Sequence, residues 1–185
     1  MARPFKKLNS NAISSVVVVL VEGKIKFNKL LSIPQQKSDR SVDITVDDAQ
    51  VSGGQIKVVG QEGRRAAYIS YWIKKTNIVN LSFNVHSPGA VQAGGTAIRK
   101  PGRYAVYINY AAANNAGGTL KFSTVNKQFF KTEVPSTGNW NSYQRKKIGE
   151  IILRKAGKTR ISLQATNVNK KGFINLKSIQ LIPID

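Results

Sequence analysis

The sequence lacks cysteine, and it contains a single histidine, His86, among its 185 residues. Without cysteine there are no disulfides, no thiolate nucleophile and no zinc site built on sulfur. A lone histidine also weakens any scheme that needs a histidine-based triad or a multi-histidine metal centre. We interpret His86 as an ordinary residue at the end of a strand. A chain of this length buries a hydrophobic core without disulfides or metal.

Acidic residues are scarce, with nine Asp and Glu against 29 Lys and Arg and a formal net charge of +20. From Gly63 onward, three acidic residues stand against twenty basic ones. A field of this strength attracts polyanions. Nucleic acid, acidic polysaccharide, lipopolysaccharide and an acidic partner subunit would all satisfy it, and so would a solvated, lysine-rich surface. Charge alone does not choose among them.

Long apolar runs are absent as well, so no membrane-spanning helix is predicted. Residues 1–7 are basic and residues 12–21 mostly apolar, which resembles the first two parts of a secretory signal. No small-residue cleavage site follows, and five of the residues in 12–21 are valine, which favours a strand. We interpret 1–11 as a basic arm of the mature chain. Residues 14–33 read as a β-hairpin around Glu22-Gly23-Lys24.

After residue 43 the sequence consists of short segments in which apolar and polar residues alternate, separated by turns rich in Gly and Asn. In residues 78–85 the alternation places every second side chain, all of them apolar, on one face. No segment shows a sustained helical period. This pattern is typical of an all-β fold, a jelly-roll β-sandwich. The predicted strands are 44–46, 55–59, 66–72, 78–85, 104–110, 120–125, 129–134, 143–153, 159–165 and 174–182.

Two further segments bear on the organisation of the chain. Residues 34–42 are polar and contain one proline, as a linker would. We therefore predict two parts, an N-terminal arm and hairpin extension over 1–42 and a β-sandwich over 43–185. The Gly-rich residues 87–101 are longer than a hairpin turn requires, and they predict a projecting loop or insertion.

From 43 to 185 the sequence resembles the carbohydrate-binding modules of families 6 and 35, which are galactose-binding-like β-sandwiches. The resemblance implies a non-catalytic module, often stabilised by calcium, that binds sugar in loops at one edge or on one face of the sandwich. Residues 1–42 and 87–100 lie outside it. The matching segments, in order, are 47–54, Ala67-Tyr68-Ile69-Ser70-Tyr71-Trp72, Gly102-Arg103-Tyr104 with Tyr110-Ala111, Thr137-Gly138-Asn139-Trp140, and Asn175-Leu176-Lys177-Ser178-Ile179.

The calcium ligands of these families are only partly matched. The opening strand of the family carries two glutamates separated by one residue, and here those positions resemble Thr45 and Asp47. The final strand carries an aspartate after Asn-Leu, and here it is Lys177. Because calcium needs several oxygen ligands, we expect the calcium site to be lost and no cofactor to be bound. We hypothesise that Lys177 pairs with Asp47 in its place.

Trp140, flanked by Gly138, Asn139 and Asn141, is the leading ligand candidate. An aromatic face stacks on the C–H face of a pyranose, and neighbouring amides bind its hydroxyls. The alternative is a tryptophan that fills one end of the core. The basic clusters of strand 143–153 would clamp carboxylates, or else form a solvated strand edge. The predicted ligand-binding residues are Trp140, Tyr68, Asn139, Asn167, Arg145 and Lys147.

The function predicted from these residues is non-catalytic glycan binding, with an acidic polysaccharide favoured by the charge. An enzyme is not expected, because Glu133 and Glu150 sit in strand-like, basic surroundings unsuited to an acid–nucleophile pair. The alternative is a structural subunit of an assembly, such as a virion coat, penton, spike or surface filament. Residues 1–42 would then serve homo-oligomerisation or nucleic-acid contact, although no nucleic-acid motif accompanies them. Either function predicts an extracellular, cell-surface or virion location.

Overall fold

The structure, a computed structural model, describes residues 33–47, 49–60, 67–85, 90–91, 97–98 and 102–184. The chain divides into two compact units, 1–30 and 31–185, of which the second carries the described residues. The predicted arm and most of the predicted hairpin, His86 and most of the Gly-rich segment 87–101 lie outside the described residues. Within the described ranges the secondary structure consists of β-strands without a helix, which confirms the all-β prediction.

The strands form two main antiparallel sheets. The larger has the order β11-β8-β13-β4-β3, with β1 also paired to β13, and the smaller has the order β10-β9-β12-β5-β2. Strands β6 and β7 pair only with each other. The strands are β1 (Val42–Thr45), β2 (Gln50–Ser52), β3 (Lys57–Val59), β4 (Tyr68–Ser70), β5 (Ile78–Val85), β6 (Ala90–Val91), β7 (Ala97–Ile98), β8 (Arg103–Ala111), β9 (Gly118–Thr124), β10 (Phe129–Val134), β11 (Gln144–Ile152), β12 (Gly157–Val168) and β13 (Asn175–Pro183).

The core lies between the inner faces of the two sheets. In β5 the predicted alternation holds, since Val79, Leu81, Phe83 and Val85 are all buried while the residues between them are partly exposed. In β8 the buried stripe includes Val106 and Ile108. Strands with one apolar face cover each other in this way because burial of that face is the main favourable term in folding. The β-sandwich prediction is therefore confirmed.

Residues 33–41 correct the prediction of a linker. Gln35 forms a parallel bridge to Asn84 of β5. The side chain of Gln36 is 2% exposed, and its Nε2 donates to the Tyr104 hydroxyl at 2.6 Å. A buried amide of this kind is stable only when it is hydrogen-bonded, and here it is. The segment looked like a linker because it is polar, yet it packs on the sandwich, and β1 begins at Val42.

The antiparallel connections define two ends of the sandwich. At one end lie the loops β4–β5, β8–β9, β10–β11 and β12–β13, and we call it the cleft end. At the opposite end lie the turn β9–β10 and the connection β11–β12. The predicted strand 66–72 stops earlier than expected, at Ser70. Tyr71 has a φ of 58°, a left-handed conformation that a strand does not continue through.

Candidate functional site

A cleft of about 270 Å³ opens at the cleft end of the sandwich. Three loops that are far apart in sequence border it: β4–β5, β10–β11 and β12–β13. It is concave and largely apolar, with a few polar groups, as small-ligand sites generally are. Its lining residues are Ser70, Tyr71, Trp72, Ile73, Trp140, Lys171, Gly172, Phe173, Ile174 and Asn175.

Backbone hydrogen bonds hold the loops in place. The amide of Gly117, in loop β8–β9, donates to the carbonyl oxygens of Gly172 at 3.1 Å and Phe173 at 2.9 Å. The amide of Phe173 in turn donates to the carbonyl of Trp72 at 2.9 Å. Loop β12–β13 is thereby fastened on both sides, which gives the cleft a fixed shape before any ligand arrives.

Aromatic side chains line the cleft at two depths. Trp72 and Phe173 are buried and meet edge to face, with ring centroids 5.1 Å apart. Trp140 is partly buried, and Tyr71 is 52% exposed. The strained backbone of Tyr71 is of the kind that concentrates at functional sites. The cleft therefore offers two accessible aromatic side chains, Trp140 and Tyr71, above a buried aromatic pair.

The loop of Trp140 is shaped by Asn139. Its Oδ1 accepts from the backbone amides of Asn141 at 2.8 Å and Ser142 at 2.9 Å, and its Nδ2 donates to Ser142 Oγ at 2.7 Å. This is the local turn bonding that asparagine favours. The carbonyl of Trp140 accepts from Asn175 Nδ2 at 3.2 Å. Asn139 is thus engaged in positioning Trp140, with its amide groups already bonded within the turn.

The electrostatic character of the cleft is positive. Lys171 is part of its lining, and Lys57 Nζ lies 4.6 Å from the centroid of the Tyr71 ring. The described lining residues include no Asp or Glu. A cation over an aromatic face is favourable, and it keeps a positive charge beside the ring that a ligand would contact.

Two other predicted residues, Arg145 and Lys147, lie on the outer face of the larger sheet. The guanidinium of Arg145 stands 3.8 Å from the Tyr107 ring centroid, and its Nη2 donates to Gln180 Oε1 at 2.7 Å. Lys147 Nζ is 2.8 Å from Glu150 Oε1, and Arg103 Nη2 is 2.8 Å from Glu150 Oε2. Lys147 and then Arg103 lower the pKa of Glu150. Lys147 therefore already neutralises a carboxylate of its own chain.

Tyr68 also lies outside the cleft lining, beside Tyr143. Burial, and secondarily Tyr68, raise the pKa of Tyr143 to about 12. Lys177 Nζ stands 3.7 Å from the centroid of the Tyr143 ring. The hypothesis of an Asp47–Lys177 pair is corrected accordingly, because the partner of Lys177 is an aromatic ring. A β-bulge between Leu176 and Ser178 leaves Lys177 outside the regular register, which accounts for the difference.

The calcium-ligand positions of the resembling families do not fit a calcium ion in this chain. Thr45 supplies a hydroxyl, and Lys177 places an ammonium over a ring. Over the described ranges, no group of three His, Cys, Asp or Glu side chains is arranged to hold a metal. Calcium binds through several hard oxygen ligands, which these positions do not supply.

Calcium is therefore expected to leave the melting temperature of the chelator-treated protein unchanged. A site occupied at a hundred times its Kd would add about 2.7 kcal/mol to the free energy of unfolding. Differential scanning calorimetry across a calcium titration measures this directly. A rise of several degrees with calcium, and none with magnesium, would contradict the expectation.

The predicted site residues thus fall on three surfaces. Trp140 and Asn139 belong to the cleft, whereas Tyr68, Arg145 and Lys147 belong to the outer region of the larger sheet. Asn167 is exposed near the end of β12, opposite Thr119, and does not line the cleft. The prediction missed Ser70, Tyr71, Ile73 and Asn175 as lining residues, and the left-handed backbone of Tyr71 leaves no mark in the sequence.

Solved carbohydrate-binding modules share this fold. A family 35 module from Clostridium thermocellum aligns with a TM-score of 0.56 and 18% identity, over 78% of this chain and 98% of the module. The Cellvibrio mixtus lichenase 5A module CBM6cm-2, in complex with cellotriose, gives 0.52 and 22%, over 77% and 97%. The Podospora anserina GH26-CBM35 β-(1,4)-mannanase gives 0.53 and 22% over 80% of this chain, which spans 28% of that enzyme. The fold is of the family 6 and 35 type, as the resemblance implied.

The family model Endotoxin_C, described as delta endotoxin, matches residues 55–185. Because the match covers more than half of the chain, the protein belongs to this family. The family found by sequence therefore differs from the one that the motifs resemble, while the fold agrees with the latter. None of the curated proteins matches the sequence. In the part of the chain that the structure describes, no helix is long and apolar enough to cross a membrane.

Proposed function

We propose that the protein is a non-catalytic glycan-binding β-sandwich that holds a sugar in the cleft beside Trp140. The observation that carries the proposal is the pairing of two accessible aromatic side chains, Trp140 and Tyr71, across loops of one concave site. Pyranose rings present an apolar C–H face to such side chains. The carbohydrate-binding modules with the same fold support this assignment.

A binding role fits the cleft better than a catalytic one. Glycoside hydrolysis requires two carboxylates that flank the bond to be cleaved. Glu150 is held by Lys147 and Arg103 on strand β11, and Glu133 lies on β10, so neither belongs to the cleft lining. The side chains that are present bind and orient a sugar, and they offer no proton donor placed for glycosidic cleavage.

The sugar that we propose is acidic, carrying carboxylate or sulfate groups. Lys171 in the lining and Lys57 beside Tyr71 would pair with such groups. The net charge of +20 would attract an anionic polymer and speed its approach. The protein should therefore bind polygalacturonate more tightly than a neutral galactan, and the difference should shrink as salt is added.

Replacing Trp140 with alanine should weaken polygalacturonate binding about 30-fold, since a central aromatic contact contributes about 2 kcal/mol. The substitution removes the accessible ring while the loop retains the hydrogen bonds of Asn139. Isothermal titration calorimetry, or affinity electrophoresis in gels that contain the polymer, would measure the change.

The matched control is Tyr107→Ala, which removes an aromatic side chain from the outer face of the larger sheet, where it stacks with Arg145. It should leave binding unchanged. If Tyr107→Ala abolished binding while Trp140→Ala did not, the sugar would lie on the sheet face and the cleft assignment would be wrong.

The alternative of a structural subunit depends on the arm and hairpin predicted within residues 1–42. Residues 1–32 lie outside the described part of the chain, so assembly and nucleic-acid contact stay predictions. A truncation designed to test them should keep residues 31–41, because Gln36 and Ser41 are buried against the sandwich.

A further inference from the structure

The end of the sandwich opposite the cleft carries a surface that the proposed function does not use. The hairpin turn β9–β10 and the connection β11–β12 meet there around a hollow of about 510 Å³. The side chain of Gln128 joins them, because its Nε2 donates to the carbonyl of Ile152 at 2.6 Å and its Oε1 accepts from the Ile152 amide at 2.9 Å. We call this surface the end patch, and its residues are Val125, Lys127, Phe129, Ile152, Arg154 and Lys155.

Apolar side chains of the end patch stand in solvent. Phe129 is 65% exposed, Val125 52% and Ile152 39%. Exposed large apolar side chains are few in the described chain, and apart from Tyr71 and Ile73 at the cleft they lie at this opposite end. A cluster of this kind marks an interaction surface rather than ordinary surface variation.

Cations surround these side chains. Lys127, Arg154 and Lys155 have no carboxylate partner among the described residues, and Lys121 Nζ stands 5.4 Å from the Phe129 ring centroid. The nearest carboxylate along the chain, Glu150, is already paired with Lys147 and Arg103. The positive charge of the end patch is therefore available to an anionic partner.

The hairpin presents its tip rigidly. The Thr124 amide donates to the Gln128 carbonyl at 2.9 Å, and the Lys127 amide donates to the Thr124 carbonyl at 3.1 Å. Together with the two bonds of the Gln128 side chain, these fix the hairpin turn against the end of β11. Little ordering is needed on binding, which favours affinity.

The chemistry of the apolar group selects among anionic partners. Sugars and nucleic-acid bases are held by stacking on aromatic faces, and the end patch has one aromatic side chain beside two aliphatic ones. Val125 and Ile152 gain free energy by leaving water for hydrocarbon. Flanking Lys and Arg are attracted to anionic headgroups. We propose that the end patch docks on the surface of a bilayer that contains anionic lipids, with Phe129, Val125 and Ile152 at the boundary between headgroups and acyl chains.

This arrangement has a functional consequence. Because the end patch and the cleft lie at opposite ends, a protein docked through the end patch holds the cleft away from the bilayer. Both surfaces are then usable at once, and the membrane interaction does not depend on glycan binding.

The test is sedimentation of the full chain with vesicles of phosphatidylcholine alone or with phosphatidylserine as about a third of the lipid. The protein should sediment with the anionic vesicles only. Replacing Lys127, Arg154 and Lys155 with glutamine should weaken binding about 100-fold, and Phe129→Ser about 10-fold. The matched control removes the same charge at the cleft end, through Lys74→Gln, Lys75→Gln and Lys170→Gln, and should retain most of the binding. Thermal melts confirm that each variant is folded.

A second measurement reports insertion. Because the chain has no native cysteine, Val125→Cys carries a single environment-sensitive fluorophore, and Ile73→Cys is the control at the cleft end. On anionic vesicles only the label at 125 should shift to the blue and be quenched by lipids with a quencher in the acyl chain. Failure to sediment with anionic vesicles, or a label at 125 that stays in water, overturns the proposal. If the triple glutamine variant instead lost affinity for a sulfated polysaccharide or an oligonucleotide while vesicles did not bind, the end patch would be a polymer site.

Discussion

Replacing Trp72 with alanine should lower the free energy of unfolding by about 3–5 kcal/mol, the range for a large aromatic side chain removed from a core. Trp72 is 1% exposed and packs edge to face against Phe173 beneath the cleft. The surrounding strands cannot close over a space of that size, so the loss of contacts adds to the transfer term. Urea unfolding followed by circular dichroism would measure the change.

Two variants make the Trp72 result specific. Trp140→Ala should lower stability much less, because Trp140 is only partly buried. Trp72→Phe should fall between the two, since it keeps part of the packing and removes an indole N–H that has no hydrogen-bond partner among the described residues. Equal losses for Trp72→Ala and Trp140→Ala would show that the structure has exchanged the roles of the two tryptophans.

Gly117→Ala should cost about 3 kcal/mol or more and should also weaken glycan binding. Gly117 has a φ of +96°, and a Cβ there would stand 2.2 Å from the backbone oxygen of Val134. Backbone atoms of two strands would have to separate to admit it. Because the Gly117 amide also bonds Gly172 and Phe173, that movement would deform the loop that lines the cleft.

Gly138→Ala separates the clash from the backbone conformation. Gly138 has a φ of +100°, yet a Cβ there meets nothing within 4 Å. It should therefore incur only the conformational cost, about 1–2 kcal/mol. Chemical denaturation of both variants gives the comparison, and a Gly117→Ala protein no less stable than Gly138→Ala would contradict the packing around loop β8–β9.

Periodicity accounts for how much of the fold could be predicted. In β5 and β12, apolar residues at every second position can satisfy burial only with one face inward, so strand identity and facing follow from local order. The same reasoning failed for 33–41, where polarity suggested a linker. Gln36 is polar and buried because Tyr104, 68 positions away, accepts its hydrogen bond. A partner so distant in sequence leaves no local signal.

The site was predictable only in part for a related reason. Trp140 carried a recognisable local context of Gly and Asn, and it does lie in the cleft. Asn139 has the same context but is consumed by its own turn. Lys147 looked free for a ligand, yet the pairing of β11 and the course of the strand set it against Glu150. Whether a polar side chain faces a ligand or a neighbour depends on what the adjacent strands bring to it.

By itself, the sequence determined that the chain is all-β, that it has no disulfides, that its surface is strongly positive and which side of the longer strands is buried. These properties follow from residue type and from a period of two, both of which are local. The tertiary structure alone decided that Trp140, Tyr71 and Lys171 share one cleft, that Lys177 lies over Tyr143, and that Val125, Phe129 and Ile152 gather at the opposite end. Strand order, register and bulges set these meetings, and each depends on pairings between segments that are distant in the chain.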